Sequence, residues 1–284
     1  MSNSINQHLF GQLPAVTICA ADGAQATVTL YGGHLVSWRT GSGQERLFCS
    51  RDSALDGSRA IRGGVPVIFP QFAARGAGMR HGFARVSIWQ LADSGELEGA
   101  AWAEFALTQH DLPEAMAAAW PFDFTLRLRV TVQGESLSLS LNVHNTGAQA
   151  FPFSAALHSY FAIDELAAAR VRGLQHVRYS DDTPQDALQA EEWLQFDDKL
   201  DRIYYQLPGA LTMQSGDTTL RLAQQGFTDA VVWNPGAQDA AALPDLADDE
   251  YARFVCIEAA LIQPDLLAAG AQWHGSQQLE VQTN

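Results

Sequence analysis

The stretch DFTLRLRVTV (residues 123–132) alternates apolar and polar residues, and SLSLSLNVHN (136–145) alternates again after the break QGE (133–135). Successive side chains of a β-strand point to opposite faces, so each stretch predicts a strand with one buried and one solvated face. The glycine-containing break predicts a turn between them. Together the two stretches predict an antiparallel β-hairpin.

Short runs of the same kind recur on both sides of this hairpin, separated by turn residues. They are QATVTL (25–30), HLVSW (34–38), VPVIF (65–69), RVSIWQLA (85–92), AAWAEFALTQ (100–109), TTLRLA (218–223), DAVVWN (229–234) and RFVCIEAA (253–260). Many short strands without a linker or a fixed repeat predict an all-β, antiparallel sandwich or barrel. We expect residues 1–284 to form one domain, since all-β folds often reach this length.

Other segments carry weaker signals. The alanine-rich DLPEAMAAAW (111–120) and PDLLAAGAQW (264–273) each predict a short helix or a turn. The acidic SDDTPQDALQAEEW (180–193) and PDLADDE (244–250) predict solvated loops.

Charge and composition restrict the classes of partner. The formal net charge is −15, which disfavours nucleic acid and anionic membranes as partners. Three cysteines, Cys19, Cys49 and Cys256, have no metal-type spacing and predict small buried residues rather than disulfides. No apolar run reaches the length of a signal peptide or a membrane helix, so we expect a cytoplasmic protein. Separately, we expect a monomer.

One stretch reverses the overall charge. RAIRGGVPVIFPQFAARGAGMRHGFAR (59–85) holds five arginines and one histidine but no Asp or Glu. Arginine matches phosphate or carboxylate, and glycine lets the backbone approach a ligand or adopt positive φ, so the stretch predicts an anion site. The competing interpretation is that two or three of these arginines pair with distant carboxylates. P-loop and Rossmann glycine spacings are both missing.

Two residues are candidates for proton transfer. His158 lies in the aromatic segment FPFSAALHSYFAI (151–163), and Glu258 lies among apolar residues in RFVCIEAA. An imidazole titrates near neutral pH, and burial would raise the pKa of the carboxyl, so the two suit acid–base chemistry. Each is equally compatible with a structural role. No metal-ligand spacing and no serine nucleophile motif occurs, so no metal or cofactor is expected.

In chain order, AIRGGVPVIFPQF, HGFAR, ALHSYF, DRIY and the glutamate of FVCIEAA resemble the D-hexose-6-phosphate mutarotases, the glucose-6-phosphate 1-epimerases of the aldose 1-epimerase superfamily. The resemblance runs from about Tyr31 to about Glu258. It implies an antiparallel β-supersandwich, like that of galactose mutarotase, with the site on its concave face. It also implies interconversion of the anomers of a hexose 6-phosphate without cofactor or metal.

The resemblance also implies roles for individual residues. His158 resembles the general acid at the ring oxygen, and Glu258 resembles the general base on the anomeric hydroxyl. The residues that resemble substrate contacts are Arg62, His81, Arg85 and Asp201. Arg80 stands where the family often has Gln, and we expect this position to contact the substrate as well.

Three other functions remain open on the sequence. A carbohydrate-binding or sugar-sensing module would need neither His158 nor Glu258 to titrate. Mutarotation of free aldoses would leave the arginines structural. Glycoside hydrolysis ranks last, because it needs two facing carboxylates and the sequence offers one good candidate.

Overall fold

A computed structural model describes residues 4–181 and 183–282, and β-strands make up most of its regular structure. In chain order the strands are β1 (Ile5–Phe10), β2 (Leu13–Cys19), β3 (Gln25–Thr29), β4 (His34–Arg39), β5 (Val67–Ile68), β6 (Gln90–Leu97), β7 (Ala100–Thr108), β8 (Phe124–Gln133), β9 (Ser136–Asn145), β10 (Phe151–Leu157), β11 (Tyr160–Ala162), β12 (Arg170–Arg172), β13 (Arg178–Ser180), β14 (Ala187–Leu188), β15 (Trp193–Gln195), β16 (Leu200–Tyr204), β17 (Leu211–Ser215), β18 (Thr218–Gln225), β19 (Asp229–Asn234), β20 (Phe254–Leu267) and β21 (Gln272–Gln282). The helical segments are α1 (Glu114–Ala119), α2 (Gly236–Ala240) and the 3-10 turns Ala84–Val86, Gln109–Asp111, Leu166–Ala168 and Glu250–Arg253.

The strands form three antiparallel sheets. A four-stranded sheet has the order β1-β2-β3-β4, and a nine-stranded sheet has the order β15-β12-β17-β18-β21-β9-β8-β7-β6. An eight-stranded sheet has the order β14-β13-β16-β19-β20-β10-β5, with β11 also paired to β20. The main cluster of buried apolar residues extends from Val16 to Val281 and includes side chains of all three sheets. The three sheets therefore share one continuous core.

The hairpin predicted from the alternating stretches is confirmed. Strands β8 and β9 pair from Phe124 opposite Asn145 to Gln133 opposite Ser136. Leu126 and Leu128 are completely buried, whereas Arg127 between them is exposed. The period of two in the sequence therefore marks the core face and the solvated face of the nine-stranded sheet.

The eight-stranded sheet differs, because its central strands are buried on both faces. In β19 and β20, Val232 and Ile257 belong to the main core, whereas Val231 lies on the opposite face in a second apolar cluster. This explains why DAVVWN and RFVCIEAA are nearly continuous apolar runs. The outer face of this sheet carries the cavity described below.

Two expectations for the minor segments are refined by the structure. Of the helix or turn predicted in 264–273, the turn is present, between the end of β20 at Leu267 and the start of β21 at Gln272. The stretch 244–250 is not wholly solvated, because Asp245 and Glu250 are buried with hydrogen-bond partners. The short helix predicted in 111–120 is present as α1. Among residues 4–181 and 183–282, no helix has the length and apolar character needed to cross a membrane.

Candidate active site

A cavity of about 610 Å³ opens on the outer face of the eight-stranded sheet. Its floor carries Asp201 and Ile203 from β16, Val231 and Trp233 from β19, and Glu258 from β20. Asp201 pairs with Trp233, and Val231 pairs with Glu258. Alternation along each strand therefore places these side chains on one face of the sheet.

His158 and Glu258 are in direct contact at this floor. The Nε2 atom of His158 lies 3.2 Å from Oε1 of Glu258, and the two side chains are 12% and 2% exposed. The imidazole is stacked on the ring of Tyr160 at 4.8 Å and meets Trp233 edge-on at 6.0 Å. Two aromatic rings therefore fix the orientation of the imidazole against the carboxyl.

Burial and neighbouring charges move the pKa values of this pair in opposite directions. Burial, followed by the charges of His81, Arg62 and Arg85, lowers the pKa of His158 well below its usual value of 6.5. Burial and the charge of Asp201 raise the pKa of Glu258 well above its usual value of 4.5. Both shifts favour the uncharged form of the group concerned, and the direct contact couples the two groups, so they titrate as a unit.

Each member of the pair also has one buried polar atom without a hydrogen-bond partner in the described residues. These atoms are Nδ1 of His158 and Oε2 of Glu258. An unpaired buried polar atom costs about 1–3 kcal/mol, and such atoms are uncommon in folded proteins. A ligand hydroxyl or ring oxygen in the cavity could supply the missing partner.

The opposite side of the cavity is strongly positive. All five arginines of the stretch 59–85 line it, together with His81. Of these arginines, only Arg62 has a carboxylate within 4 Å in residues 4–181 and 183–282. Among the described residues, one of the five arginines pairs with a distant carboxylate, fewer than the two or three of the competing interpretation.

Arg62 is held by its own partners. Its Nε and Nη2 atoms donate to the carboxylate of Asp245 at 3.1–3.2 Å, and Nη1 donates to the hydroxyl of Tyr160 at 3.1 Å. This two-pronged geometry is the strong arginine–carboxylate arrangement. Arg62 thus retains few donors for a ligand, and it connects the arginine stretch to the ring that supports His158.

Arg85 has the opposite character. Its Nη2 donates to the main-chain oxygen of Arg80 at 2.9 Å, and its Nε is buried without a partner in the described residues. Burial, before any other cause, lowers the pKa of Arg85. A guanidinium remains protonated in proteins, so Arg85 is a half-buried cation that an anion would stabilise.

His81 presents a defined hydrogen-bond donor to the cavity. The main-chain N–H of Ala73 donates to Nδ1 of His81 at 3.3 Å. Burial and the charges of Arg85, Arg80 and Arg62 lower the pKa of His81 to about 3, so the ring is neutral. A neutral ring with Nδ1 as acceptor carries its proton on Nε2, which makes His81 a donor to a ligand oxygen.

Glycine packing sets the course of the arginine stretch. Gly64 has φ +59°, and a Cβ at this position would lie 2.2 Å from the main-chain oxygen of Leu35. Gly82 has φ +67°, and a Cβ there would lie 2.0 Å from the oxygen of Phe69. The sequence predicts that these glycines let the backbone come close to a ligand. At Gly64 and Gly82 the backbone instead packs closely against another segment of the protein's own main chain.

The remaining two predicted contacts also line the cavity. Arg80 is exposed at the rim, and Asp201 is an exposed residue of β16 at the edge of the floor. The structure thus brings all seven predicted site residues to one cavity.

Sequence reasoning missed three residues of the site: Asp245, Tyr160 and Trp233. The acidic stretch 244–250 predicts a solvated loop, but Asp245 is only 9% exposed and binds Arg62. Tyr160 follows His158 by two residues in a strand-like segment, so the alternation of side chains could have indicated that it shares the face of His158. Within the described residues, no group of three His, Cys, Asp or Glu side chains could hold a metal ion.

An antiparallel β-supersandwich whose outer face holds a sugar-sized polar cavity over a buried His–Glu pair is the arrangement of a mutarotase-like protein. The chain belongs to the aldose 1-epimerase family, whose model matches residues 14–280. The resemblance drawn from the sequence motifs is thereby confirmed.

Individual relatives agree with this membership. The chain is 32% identical over 274 residues to a "Putative glucose-6-phosphate 1-epimerase" of Cenchrus ciliaris, covering 93% of this chain and 83% of the relative. It is 32% identical over 242 residues to a protein of the same name from Escherichia coli K12, covering 83% and 79%.

Solved structures share the fold along the whole chain. A "putative mutarotase" from Salmonella typhimurium aligns with a TM-score of 0.89 and 27% identity, covering 99% of this chain and 94% of that protein. A galactose mutarotase-like protein from Clostridium acetobutylicum aligns with a TM-score of 0.79 and 17% identity, covering 99% and 98%. The predicted fold class, an antiparallel β-supersandwich of the galactose mutarotase type, is confirmed.

Proposed function

We propose that this protein is an isomerase that interconverts the α and β anomers of a hexose 6-phosphate. The observation that carries the proposal is the buried contact between His158 and Glu258 in a cavity whose opposite side is lined by arginines. The family and the relatives named glucose-6-phosphate 1-epimerase support the same reaction.

The chemistry begins with ring opening. Glu258 accepts the proton of the anomeric hydroxyl, and His158 donates a proton to the ring oxygen as the bond between that oxygen and C1 breaks. Both oxygens are bonded to the same carbon, so one acid and one base in direct contact can reach them together. The product of this step is the open-chain aldehyde.

Ring closure repeats the step in reverse on the other face of the aldehyde. After rotation about the C1–C2 bond, His158 accepts the proton of the chain hydroxyl, and Glu258 returns a proton to the carbonyl oxygen. The sugar gives one proton and receives one in each half-reaction. The pair therefore passes between its ionic and its neutral form at constant total charge, which suits two buried groups in direct contact.

The arginine side would hold the phosphate. Arg85 offers a half-buried cation without a carboxylate partner among the described residues, and Arg80 adds charge at the rim. His81 would donate from Nε2 to a sugar oxygen, and Asp201 would accept from a sugar hydroxyl across the cavity. Arg62, most of whose donors are occupied by Asp245 and Tyr160, would orient the phosphate with its one remaining N–H.

The proposal is tested by one-dimensional NMR exchange spectroscopy on glucose 6-phosphate and glucose, each with and without the protein. We expect protein-dependent anomer exchange on the phosphosugar and much less on glucose. Equal acceleration of both sugars would support the alternative of a free-aldose 1-epimerase and would reduce the arginines to a structural role.

A sugar-binding module without catalysis is the remaining alternative. It predicts saturable binding of glucose 6-phosphate, seen by calorimetry, with no gain in exchange rate over buffer. The same sample of folded protein gives both measurements, so the two functions are separated directly.

A further inference from the structure

A second cavity lies behind the loop that carries the arginines. It has a volume of about 470 Å³, which falls in the range of about 300–1,000 Å³ typical of small-molecule sites. Its wall includes part of α1 and is mostly apolar, with Met79, Phe83, Met116, Trp120, Pro152 and Pro264 among its side chains. The first cavity, which is lined by His158, Glu258 and the five arginines, is called the sugar cavity from here on. None of its residues with a proposed role in catalysis lines the second cavity.

Among the described residues, Arg75 is the one charged side chain that lines this second cavity, and it also lines the sugar cavity. The side chain is exposed, and no carboxylate lies within 4 Å of it in residues 4–181 and 183–282. An apolar groove with one unneutralised guanidinium is complementary to a ligand that has an apolar body and an anionic end.

The segment between the two cavities is internally braced. The buried side chain of Gln71 donates to the oxygens of Ala73 and Gly78 at 3.0 and 3.3 Å and accepts from the N–H of Gly78 at 2.9 Å. The oxygen of Ala73 accepts from the N–H of His81 at 2.9 Å. Through these bonds, the wall of the apolar cavity is connected to a residue of the sugar cavity.

We infer that the second cavity is a regulatory site for a small amphipathic carboxylate, whose chain lies against α1 and whose carboxylate binds Arg75. Occupancy would draw the Arg75 guanidinium away from the sugar cavity and would lower the positive charge there. Anionic ligands of the two cavities would then oppose each other, and the weakening must be reciprocal. The binding site itself does not depend on the proposed reaction, whereas its effect on phosphosugar turnover does.

The probe is octanoate, with octan-1-ol as the analogue that lacks the anionic end. We expect saturable octanoate binding by calorimetry, with quenching or enhancement of tryptophan fluorescence as Trp120 is covered. Arg75→Met should weaken octanoate binding by up to about fivefold, the upper end for an exposed charge pair, and should leave octan-1-ol binding unchanged.

Two variants on α1 form a matched pair. Ala119→Trp places an indole in the cavity and should abolish octanoate binding, whereas Ala118→Trp adds the same group to an exposed residue of the same helix that does not line the cavity. Both positions are exposed, so both variants should fold. Equal octanoate binding by the two variants, or no saturable binding by the wild type, would overturn the assignment of the site.

Coupling is measured in the same samples. Saturating octanoate should weaken glucose 6-phosphate binding by about two- to fivefold, the scale of one exposed charge pair, and should have no effect in Arg75→Met. Competition is read by calorimetry, so it can be observed even in a protein that does not accelerate anomer exchange. Unchanged phosphosugar affinity with octanoate bound would overturn the regulatory role.

Discussion

The substitution Glu258→Gln tests whether one proton shared with His158 drives the reaction. Gln has nearly the shape of Glu but cannot accept a proton, and its amide N–H would donate to Nε2 of His158 at the 3.2 Å contact. That hydrogen bond would force the imidazole proton onto Nδ1. The single change therefore removes the base and misplaces the proton of the acid.

The size of the effect follows from this double loss. One positioned proton-transfer group contributes about 10²–10⁴-fold, or about 3–5 kcal/mol of activation free energy. Because the variant disables both members of the pair, we expect kcat to fall by about 10⁴-fold, with a much smaller change in KM. For the same reason, adding His158→Asn should cost little more, as expected for residues that act as a unit.

Although Glu258→Gln should lower kcat, it should raise the stability of the folded protein at alkaline pH. The pKa of Glu258 is raised in the folded protein, so the wild-type contribution of this carboxyl is most favourable below pH 4.5 and is lost as pH rises toward the raised pKa. Gln carries no such pH dependence. We therefore expect Glu258→Gln to unfold at a higher temperature than the wild type at pH 8, with a smaller difference at pH 5.

The assay combines exchange spectroscopy on glucose 6-phosphate with thermal unfolding of both proteins across pH 5–8. The rate of the wild type should fall on the acid side as His158 takes up a second proton and on the alkaline side as Glu258 loses the shared one. A soluble Glu258→Gln protein that keeps more than about a tenth of the wild-type kcat would refute the role of Glu258, since it would lie outside the range for a general base.

Three further predictions concern the stretch 59–85, which carries the five arginines and the tightly packed glycines. Arg85→Met should reduce kcat/KM for glucose 6-phosphate by about 10- to 100-fold in exchange assays, since a hydrogen bond to a charged group is worth about 1.5–3 kcal/mol, while turnover of glucose changes little; equal losses on both sugars would remove Arg85 from phosphate binding. Raising the salt concentration from 0.05 to 0.5 M should raise the KM for the phosphosugar, because the exposed arginines at the rim are screened; a KM that does not change would place the phosphate away from the rim. Gly64→Ala should destabilise the fold by more than about 2 kcal/mol in denaturant titrations, since its Cβ would lie 2.2 Å from the oxygen of Leu35 at a positive φ, whereas Gly43→Ala, with nothing within 4 Å of the added Cβ, should cost less.

The sequence predicts the strands of this fold better than it predicts their arrangement. Alternation identifies β8 and β9, because each buried position alternates with a solvated one. The order of β16, β19, β20 and β10 in one sheet depends on pairings between residues far apart in the chain, and no local pattern encodes them. The end of β20 gives no local signal for a related reason: residues 264–267 (PDLL) do not alternate apolar and polar side chains, so the tertiary pairing with β10 decides the strand.

The site shows the same division between local and distant information. His158 and Glu258 could be identified from the sequence because a polar side chain in an apolar strand is costly to bury unless it has a partner or a function. Their contact required the pairing of β20 with β10 and β11, which sets the two side chains side by side. Asp245 gave no signal, since a carboxylate in an acidic loop is ordinarily solvated; only the folded chain shows that Arg62, 183 residues away in sequence, is its partner.

The distribution of charge explains how a protein of net charge −15 can favour an anionic substrate. Asp245 neutralises Arg62, so this arginine acts as part of the scaffold that supports Tyr160 and, through it, His158. The remaining arginines of the stretch divide by burial. Arg59, Arg75 and Arg80 are exposed at the rim, where water and salt weaken each contact, so their effect falls mainly on the rate of substrate capture. Arg85 is half-buried, and a charge removed from water interacts more strongly with a phosphate than an exposed one does. Selectivity for the phosphosugar should therefore reside in Arg85, and salt dependence should reside in the rim.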